Sequence, residues 1–225
     1  VVPAELLIDY IVFSSGAGIY DCQKREIVES HDLAPDFAKQ SAMEFHARSI
    51  DYFIHSPIPE NHFFDYYIFD QNADTDAWER IENYRKFATP INDITEYCFR
   101  NSCQVIGISQ ANPQNYSSIK KALESLSVIR TTSPLDKKSL WIEVLPPDVS
   151  KALACAKLCQ KLNIKRGQTI GIGNDYNDLD LMKWVGEPFL VANAAQSLQK
   201  SFPVIDSNDR DGFGKLIESK ILGDL

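Results

Sequence analysis

The last third of the chain alternates between short apolar strands and amphipathic helices, and this pattern restricts the fold more than any other feature of the sequence. The pattern predicts the following elements in order: a helix over 150–162, a strand over 169–173, a helix over 178–185, a strand over 188–192, a helix over 194–200, a strand over 204–205 and a helix over 213–221. Strands that alternate with helices are typical of a parallel sheet. We therefore predict an α/β fold with a parallel-sheet core.

The segment from 22 to 148 has a different pattern, in which pairs of strands are separated by helices. The predicted helices are 35–49, 75–85 and 115–126, and the predicted strands are 52–55, 66–69, 104–109, 128–131 and 140–145. Paired strands of this kind indicate an α+β unit with antiparallel neighbours. A further apolar strand over 8–13 can join the C-terminal sheet. We predict a discontinuous core domain, 1–21 and 149–225, interrupted by an inserted cap domain, 22–148.

Charge and composition exclude several classes of partner. The 31 acidic and 23 basic residues give a net charge of −8, and no long basic run is present, which argues against a nucleic-acid partner. The apolar runs are shorter than the roughly 20 residues of a membrane span, and no signal peptide is visible. The five cysteines form no CxxC pair, which favours reduced thiols. We expect a soluble, cytoplasmic protein with no membrane partner.

The strongest candidate site follows the predicted strand over 169–173. Gly173 is followed by four side chains that carry oxygen donors: Asn174, Asp175, Asn177 and Asp178. Ligands of open parallel sheets bind at the carboxyl ends of strands. Asp175 and Asp178 are three residues apart, so on one helical turn they could share a hard cation such as Mg²⁺. The alternative is that Asn177 or Asp178 only caps the following helix.

Two further segments carry groups that could contact a phosphate. Lys151 follows Ser150 at a predicted helix start, where a cation opposes the helix dipole, so its position suggests pairing with phosphate and carboxylate groups. The alternative is a solvated surface lysine. Ser14, Ser15 and Gly16 end the strand over 8–13, where hydroxyl and backbone N–H groups could hold a phosphate oxygen. Taken alone, this second segment is only a turn.

The order of these three segments resembles the haloacid dehalogenase (HAD) superfamily of phosphohydrolases, in particular its Cof-type branch with a large α/β cap. Segment 13–21 looks like motif two of that branch, 149–151 like motif three, and 173–178 like motif four. The segments 191–194 and 207–212 are similar to those that usually follow motif four. The resemblance implies a Rossmann-like HAD core with an inserted α+β cap.

The resemblance also implies a chemistry and a role for each matched residue. An aspartate would attack phosphorus to form an aspartyl phosphate, which water then hydrolyses with Mg²⁺ as cofactor. Ser14 or Ser15 would bond a phosphoryl oxygen, and Lys151 would neutralise charge on nucleophile and phosphate. The metal or its waters would be held by Asn174, Asp175 and Asp178, and the substrate contacted by Gly16 and Asn177. Motif four usually starts Gly-Asp, so here an amide replaces the first carboxylate.

The nucleophile motif of the family, Asp-x-Asp-Gly-Thr, is not found in this sequence. Asp209 and Asp211 precede a glycine but fit the tail of the family, and Asp74 and Asp76 fit a helix start in the cap. We therefore expect a longer natural product and an inactive chain as given. The first hypothesis is a Mg²⁺-dependent phosphatase of small phosphorylated metabolites, with sugar phosphates favoured. The alternatives are a non-catalytic HAD-like binding or regulatory protein, and a phosphatase or phosphomutase of another HAD branch.

Overall fold

The computed structural model describes residues 8–71, 75–110 and 112–223. The chain divides into two compact units, Val1–Ser150 and Lys151–Leu225. Asp74, one of the two acids predicted to start a helix, lies outside the described residues, whereas Thr75 caps that helix by accepting a hydrogen bond from the Trp78 N–H at 3.4 Å. Among the helices of the described segments, none is long and apolar enough to cross a bilayer.

The first unit is built on a six-stranded sheet with the order β6-β5-β4-β7-β9-β8. Its strands are β4 (Asp51–His55), β5 (Phe64–Tyr67), β6 (Ala88–Pro90), β7 (Val105–Ser109), β8 (Ser127–Thr132) and β9 (Leu140–Leu145). All neighbours are antiparallel except β5 and β6, which are parallel. The helices of this unit are α1 (Pro35–His46), α2 (Asp76–Asn83) and α3 (Pro113–Ala122). The α+β character predicted for this region is confirmed.

Both faces of this sheet are buried, because side chains that alternate along a strand point to opposite faces. On one face, the strand residues Tyr52, Ile54, Val105, Ile142 and Val144 form a core with Phe45 of α1 and Ile119 of α3. On the other face, Phe53, Ile106, Ile108 and Trp141 form a core with Ala77 and Ile81 of α2. The sheet is therefore a rigid support for the loops that leave its edges.

A smaller antiparallel sheet precedes it, with the order β1 (Tyr10–Phe13), β2 (Gly18–Asp21) and β3 (Glu26–Ser30). A tight turn, Ser14–Gly16, reverses the chain between β1 and β2, and Ser14, Ser15 and Gly16 have φ values of 46°, 51° and 109°. A Cβ on Gly18 would lie 2.2 Å from the Phe13 ring, so only glycine allows this cross-strand contact. Among the strand pairings of the described residues, β1 pairs with β2. The assignment of 1–21 and 149–225 to one core domain stays a prediction.

The second unit contains the strand–helix alternation predicted from the sequence. Its elements are α4 (Lys151–Lys161), β10 (Ile170–Gly173), α5 (Leu179–Trp184), β11 (Glu187–Val191), α6 (Gln196–Gln199), β12 (Val204–Ile205) and α7 (Gly212–Ile217), which continues as a π-helical turn over Glu218–Leu222. The three strands are parallel and adjacent in sequence order. A core that includes Met182, Leu190 and Leu198 packs around them. The predicted parallel sheet is therefore confirmed.

His55 at the end of β4 is a buried histidine whose bonds fix its tautomer. Its Nδ1 lies 2.8 Å from the Asn61 carbonyl oxygen and its Nε2 lies 3.0 Å from an Arg80 guanidinium nitrogen. A carbonyl only accepts and a guanidinium only donates, so Nδ1 carries the proton and Nε2 accepts. Burial and the adjacent Arg80 charge lower the pKa of His55 to about 3.

This lowered pKa predicts an acid-dependent stability. The unfolded histidine takes up its proton near pH 6.5, so the stability due to neutral His55 is complete above that pH and is lost as the pH falls towards about 3. We expect His55 to lower the free energy of unfolding by about 2 kcal/mol as the pH falls from about 6.5 to about 5. Urea denaturation across this pH range measures the free energy of unfolding, which should fall less steeply with decreasing pH in His55→Gln than in wild type.

The control for this experiment is His62→Gln, because the His62 side chain is 47% exposed. That variant should keep the wild-type slope. Equal slopes for wild type and His55→Gln would show that the pKa of His55 does not differ between the folded and unfolded states.

Candidate functional site

The carboxyl end of β10 carries the acidic residues that the sequence singled out. After Gly173 the chain passes through Asn174 and Asp175 into a short turn, Tyr176–Asp178, that leads into α5. Asp175 and Asp178 are 9% and 8% exposed. Asp178 occupies the N-cap position of α5, yet its side chain makes no capping hydrogen bond. The capping interpretation therefore does not account for this buried carboxylate.

Asp178 instead binds Lys151 from the first turn of α4. The Lys151 Nζ lies 2.6 Å from Asp178 Oδ1, and the backbone N–H of Asn174 donates to Asp178 Oδ2 at 3.0 Å. The two side chains are 28% and 11% exposed, so the pair is largely shielded from water. Charge-assisted bonds of this length are stronger than neutral ones. The structure thus brings Lys151, Asn174 and Asp178 together, and it holds the ammonium group at the strand end.

Gly173 makes room for this arrangement. A Cβ at this position would lie 2.8 Å from the Asp178 Cβ and 3.2 Å from Asp178 Oδ2. The missing side chain therefore lets the Asp178 carboxylate fold back over the end of β10.

The close approach at Gly173 predicts a destabilised variant. We expect Gly173→Ala to lower the free energy of unfolding by about 1–3 kcal/mol, because the added methyl group displaces Asp178 from Lys151. Gly167→Ala is the matched control, since a Cβ there would meet nothing within 4 Å, and it should change stability by less than about 0.5 kcal/mol. Urea denaturation of both variants measures the difference, and equal stabilities would contradict the steric argument.

Asp180 is a further member of this group that the sequence did not indicate. Its Oδ2 accepts a hydrogen bond from the Ala152 N–H at 3.4 Å, in the first turn of α4. A carboxylate at a helix N-terminus is favourable for the helix dipole. Asp178 and Asp180 together therefore offset the unfavourable position of Lys151 in that turn. Asp180 lies two positions after Asp178, and residues at that spacing do not normally share a helix face. Among the acidic residues, the sequence pattern therefore pointed to Asp175 and Asp178 and not to Asp180.

Ser14, Ser15 and Gly16 lie in the first unit, where the two hydroxyl groups have partners. Ser15 Oγ donates to Glu143 Oε2 at 2.5 Å, and Asn61 Nδ2 donates to Ser14 Oγ at 3.0 Å. The proton of the Ser15 hydroxyl is thereby directed at a carboxylate. The only sequence signal for Glu143 was an acid within the apolar strand β9, where it is 7% exposed. Gly16 is buried in the turn, and Asn177 lies in the turn after β10.

The oxygen donors at the end of β10 suit a hard cation. In the described part of the chain, no group of three or more His, Cys, Asp or Glu side chains is arranged to hold a metal ion. Mg²⁺ does not require such a cage, since one or two carboxylates commonly hold it together with waters and substrate phosphates. The carboxylates of Asp175 and Asp178 and the amide of Asn174 are donors of this type. The donor set therefore fits Mg²⁺.

Comparison with known proteins places the chain in a family. The family of haloacid dehalogenase-like hydrolases matches residues 2–217. The chain belongs to this family.

Individual relatives of this haloacid dehalogenase-like chain agree with that result. A Haemophilus influenzae protein named as a proposed phosphatase is 24% identical over 118 residues, which are 52% of this chain and 43% of the relative. A Bacillus subtilis protein named in the same way is 28% identical over 109 residues, 44% of this chain and 40% of the relative. The chain thus spans less than half the length of the curated relatives it matches.

Solved structures show the same fold. A sugar phosphatase of HAD subclass IIB, BT4131, superimposes with a TM-score of 0.73 at 12% identity, covering 94% of this chain and 75% of that chain. A Streptococcus mutans protein, SMU.1108c, superimposes with a TM-score of 0.75 at 13% identity, covering 95% of this chain and 77% of that chain. At these identities the likeness concerns the fold, and it confirms the α/β class predicted from the sequence.

Proposed function

We propose that the protein containing this chain is a Mg²⁺-dependent phosphatase of small phosphorylated metabolites, with sugar phosphates as the favoured substrates. The observation that carries this proposal is the Lys151–Asp178 pair at the carboxyl end of β10, beside Asp175 and Asn174. A shielded ammonium group next to hard oxygen donors suits a phosphate and its metal ion. Membership of the haloacid dehalogenase-like hydrolases supports the same reaction class.

Each residue of this site has a proposed role in phosphoryl transfer. Lys151 places its positive charge where negative charge accumulates on the phosphoryl oxygens, which is the main requirement of this reaction. Asp178 fixes the Lys151 ammonium group, and the backbone N–H of Asn174 fixes Asp178 in turn. Asp175, Asp178 and Asn174 would hold Mg²⁺, which when bound supplies further positive charge to the phosphate. The attacking aspartate implied by the family is assigned to no residue of this chain.

The remaining assignments belong to the same proposal. Residues 1–21 and 149–225 would form the catalytic core and 22–148 the cap. Ser14 or Ser15 would bond a phosphoryl oxygen, with Gly16 and Asn177 as further substrate contacts. For Ser15 this role requires its hydroxyl to turn away from Glu143, its present acceptor. A cytoplasmic location and a small phosphorylated substrate complete the proposal.

Phosphate release by the full-length protein tests this function. The assay uses a set of sugar phosphates, with Mg²⁺ or with a chelator. We expect release of inorganic phosphate that requires Mg²⁺. Movement of phosphate within the sugar without release would favour a phosphomutase, and binding without turnover would favour a regulatory protein. Either result would overturn the phosphatase proposal.

A further inference from the structure

The helix α4 carries two cysteines, Cys155 and Cys159, that are four residues apart. Residues at this spacing lie on one face of a helix, one turn apart, so the two side chains are neighbours. Both cysteines are free thiols, and both are partly exposed. A small ion can therefore reach the two sulfur atoms from the solvent.

The surroundings of the two thiols favour metal binding over covalent catalysis. Burial raises the pKa of the Cys155 thiol, Cys159 and Asp180 raise it further, and Lys151 lowers it. Burial also raises the pKa of Cys159. At neutral pH both groups are therefore protonated, and a protonated thiol is a poor nucleophile. A coordinating metal ion, in contrast, deprotonates a thiol outright.

The helix holds the two cysteines too far apart for a direct bond between their sulfur atoms. Cβ atoms four residues apart on a helix are about 5–6 Å from each other, whereas a disulfide requires about 3.5–4.5 Å. A disulfide between Cys155 and Cys159 would therefore distort α4. An ion between two sulfurs, with metal–thiolate bonds of about 2.3 Å, gives a sulfur-to-sulfur span of about 4.6 Å. This span is close to the spacing that the intact helix provides.

We propose that Cys155 and Cys159 form a two-sulfur site for a soft monovalent cation such as Cu⁺. Thiolates are soft ligands that favour this ion. Two sulfurs on opposite sides of Cu⁺ complete a linear coordination, whereas Zn²⁺ takes four ligands. On binding, two S–H bonds break, two Cu–S bonds form and two protons pass to the solvent, with no change in the oxidation state of copper. The inference goes beyond the proposed phosphatase function and does not depend on it.

Competition with bicinchoninate, a chelator that forms a coloured complex with Cu⁺, tests this inference on the full-length protein under anaerobic conditions. We expect wild type to withdraw Cu⁺ from the chelator. Cys159→Ser removes one of the two sulfurs and should lower the Cu⁺ affinity by more than about 100-fold, because the loss of a ligand exceeds the effect of about 10- to 100-fold that follows loss of a group outside the ligand shell. Circular dichroism of the variant checks that it is folded.

The matched control moves the second thiol without removing it. Cys159→Ser/Gln160→Cys keeps the number of cysteines, but residues five apart do not share a helix face, so this variant should bind Cu⁺ as weakly as Cys159→Ser. Gln160 is exposed, so its replacement leaves the fold intact. Cys98→Ser removes an exposed thiol of the first unit and should keep the wild-type affinity.

Three results would each overturn the inference: no withdrawal of Cu⁺ by wild type, equal affinity of wild type and the double variant, or an equal loss of affinity in Cys98→Ser. Because the experiment contains no phosphate and measures no turnover, its failure is distinct from failure of the phosphatase proposal.

Discussion

Lys151→Ala is expected to lower the rate of phosphate release by the full-length protein by about a thousandfold or more. Lys151 brings the ammonium group to within 2.6 Å of Asp178 at the end of β10, and its side chain is only 28% exposed. Water or salt ions replace a shielded charge poorly, because the surrounding protein lowers the local dielectric constant. The loss should appear mainly in kcat, since the charge on the phosphoryl group develops in the transition state.

The control for this variant is Lys200→Ala, which removes an exposed lysine of the second unit outside the site. It should keep normal turnover. Denaturation curves of Lys151→Ala separate lost chemistry from lost folding, because this variant leaves the buried Asp178 carboxylate without its ion pair. Near-normal turnover by folded Lys151→Ala would remove this residue from the site.

Asp178→Asn has the second largest expected effect, and it acts on the metal. The substitution keeps the shape of the side chain but removes the negative charge that faces Lys151 and the proposed Mg²⁺. We expect the Mg²⁺ concentration for half-maximal turnover to rise about 10- to 100-fold. A magnesium titration of phosphate release measures the shift.

Asp209→Asn is the matched control for Asp178→Asn. Asp209 is exposed and lies in the short turn Asn208–Arg210 after β12, so it should leave the magnesium requirement unchanged. An unchanged requirement in Asp178→Asn would exclude Asp178 from the metal site, although its bond to Lys151 would remain.

The sequence predicted those parts of the fold that depend on local pattern. The alternation of strands and helices from α4 to α7 follows from hydrophobic periodicity, and the ends of β10 and β11 agree with the prediction to within one residue. The strands β2 and β3 were missed, because the hairpin that pairs them with β1 depends on the Ser14–Gly16 turn and on the close contact at Gly18. The hydrophobic periodicity of that segment predicts neither the turn nor the contact at Gly18.

The same distinction holds for the candidate site. Lys151 and the segment 174–178 were identified from short motifs, and the structure joins Lys151 to Asp178 across 27 residues. The partners Glu143, Asn61 and Asp180 were not identified, because none of them belongs to a short motif of the kind that pointed to Lys151 and 174–178 and because their own contacts are made with distant parts of the chain. Such pairs are set by tertiary packing of β9, of the loop after β4 and of α5, which a single sequence does not encode in a local pattern.

The Lys151–Asp178 pair is proposed to form a phosphate-binding centre at the end of β10. Calorimetric titration of the full-length protein with inorganic phosphate in the presence of Mg²⁺, for wild type and for Lys151→Ala, measures this binding. We expect measurable binding by wild type and an affinity at least about 30-fold lower for Lys151→Ala, because the variant loses a charge-assisted contact. Equal affinity of the two proteins for phosphate would contradict the claim.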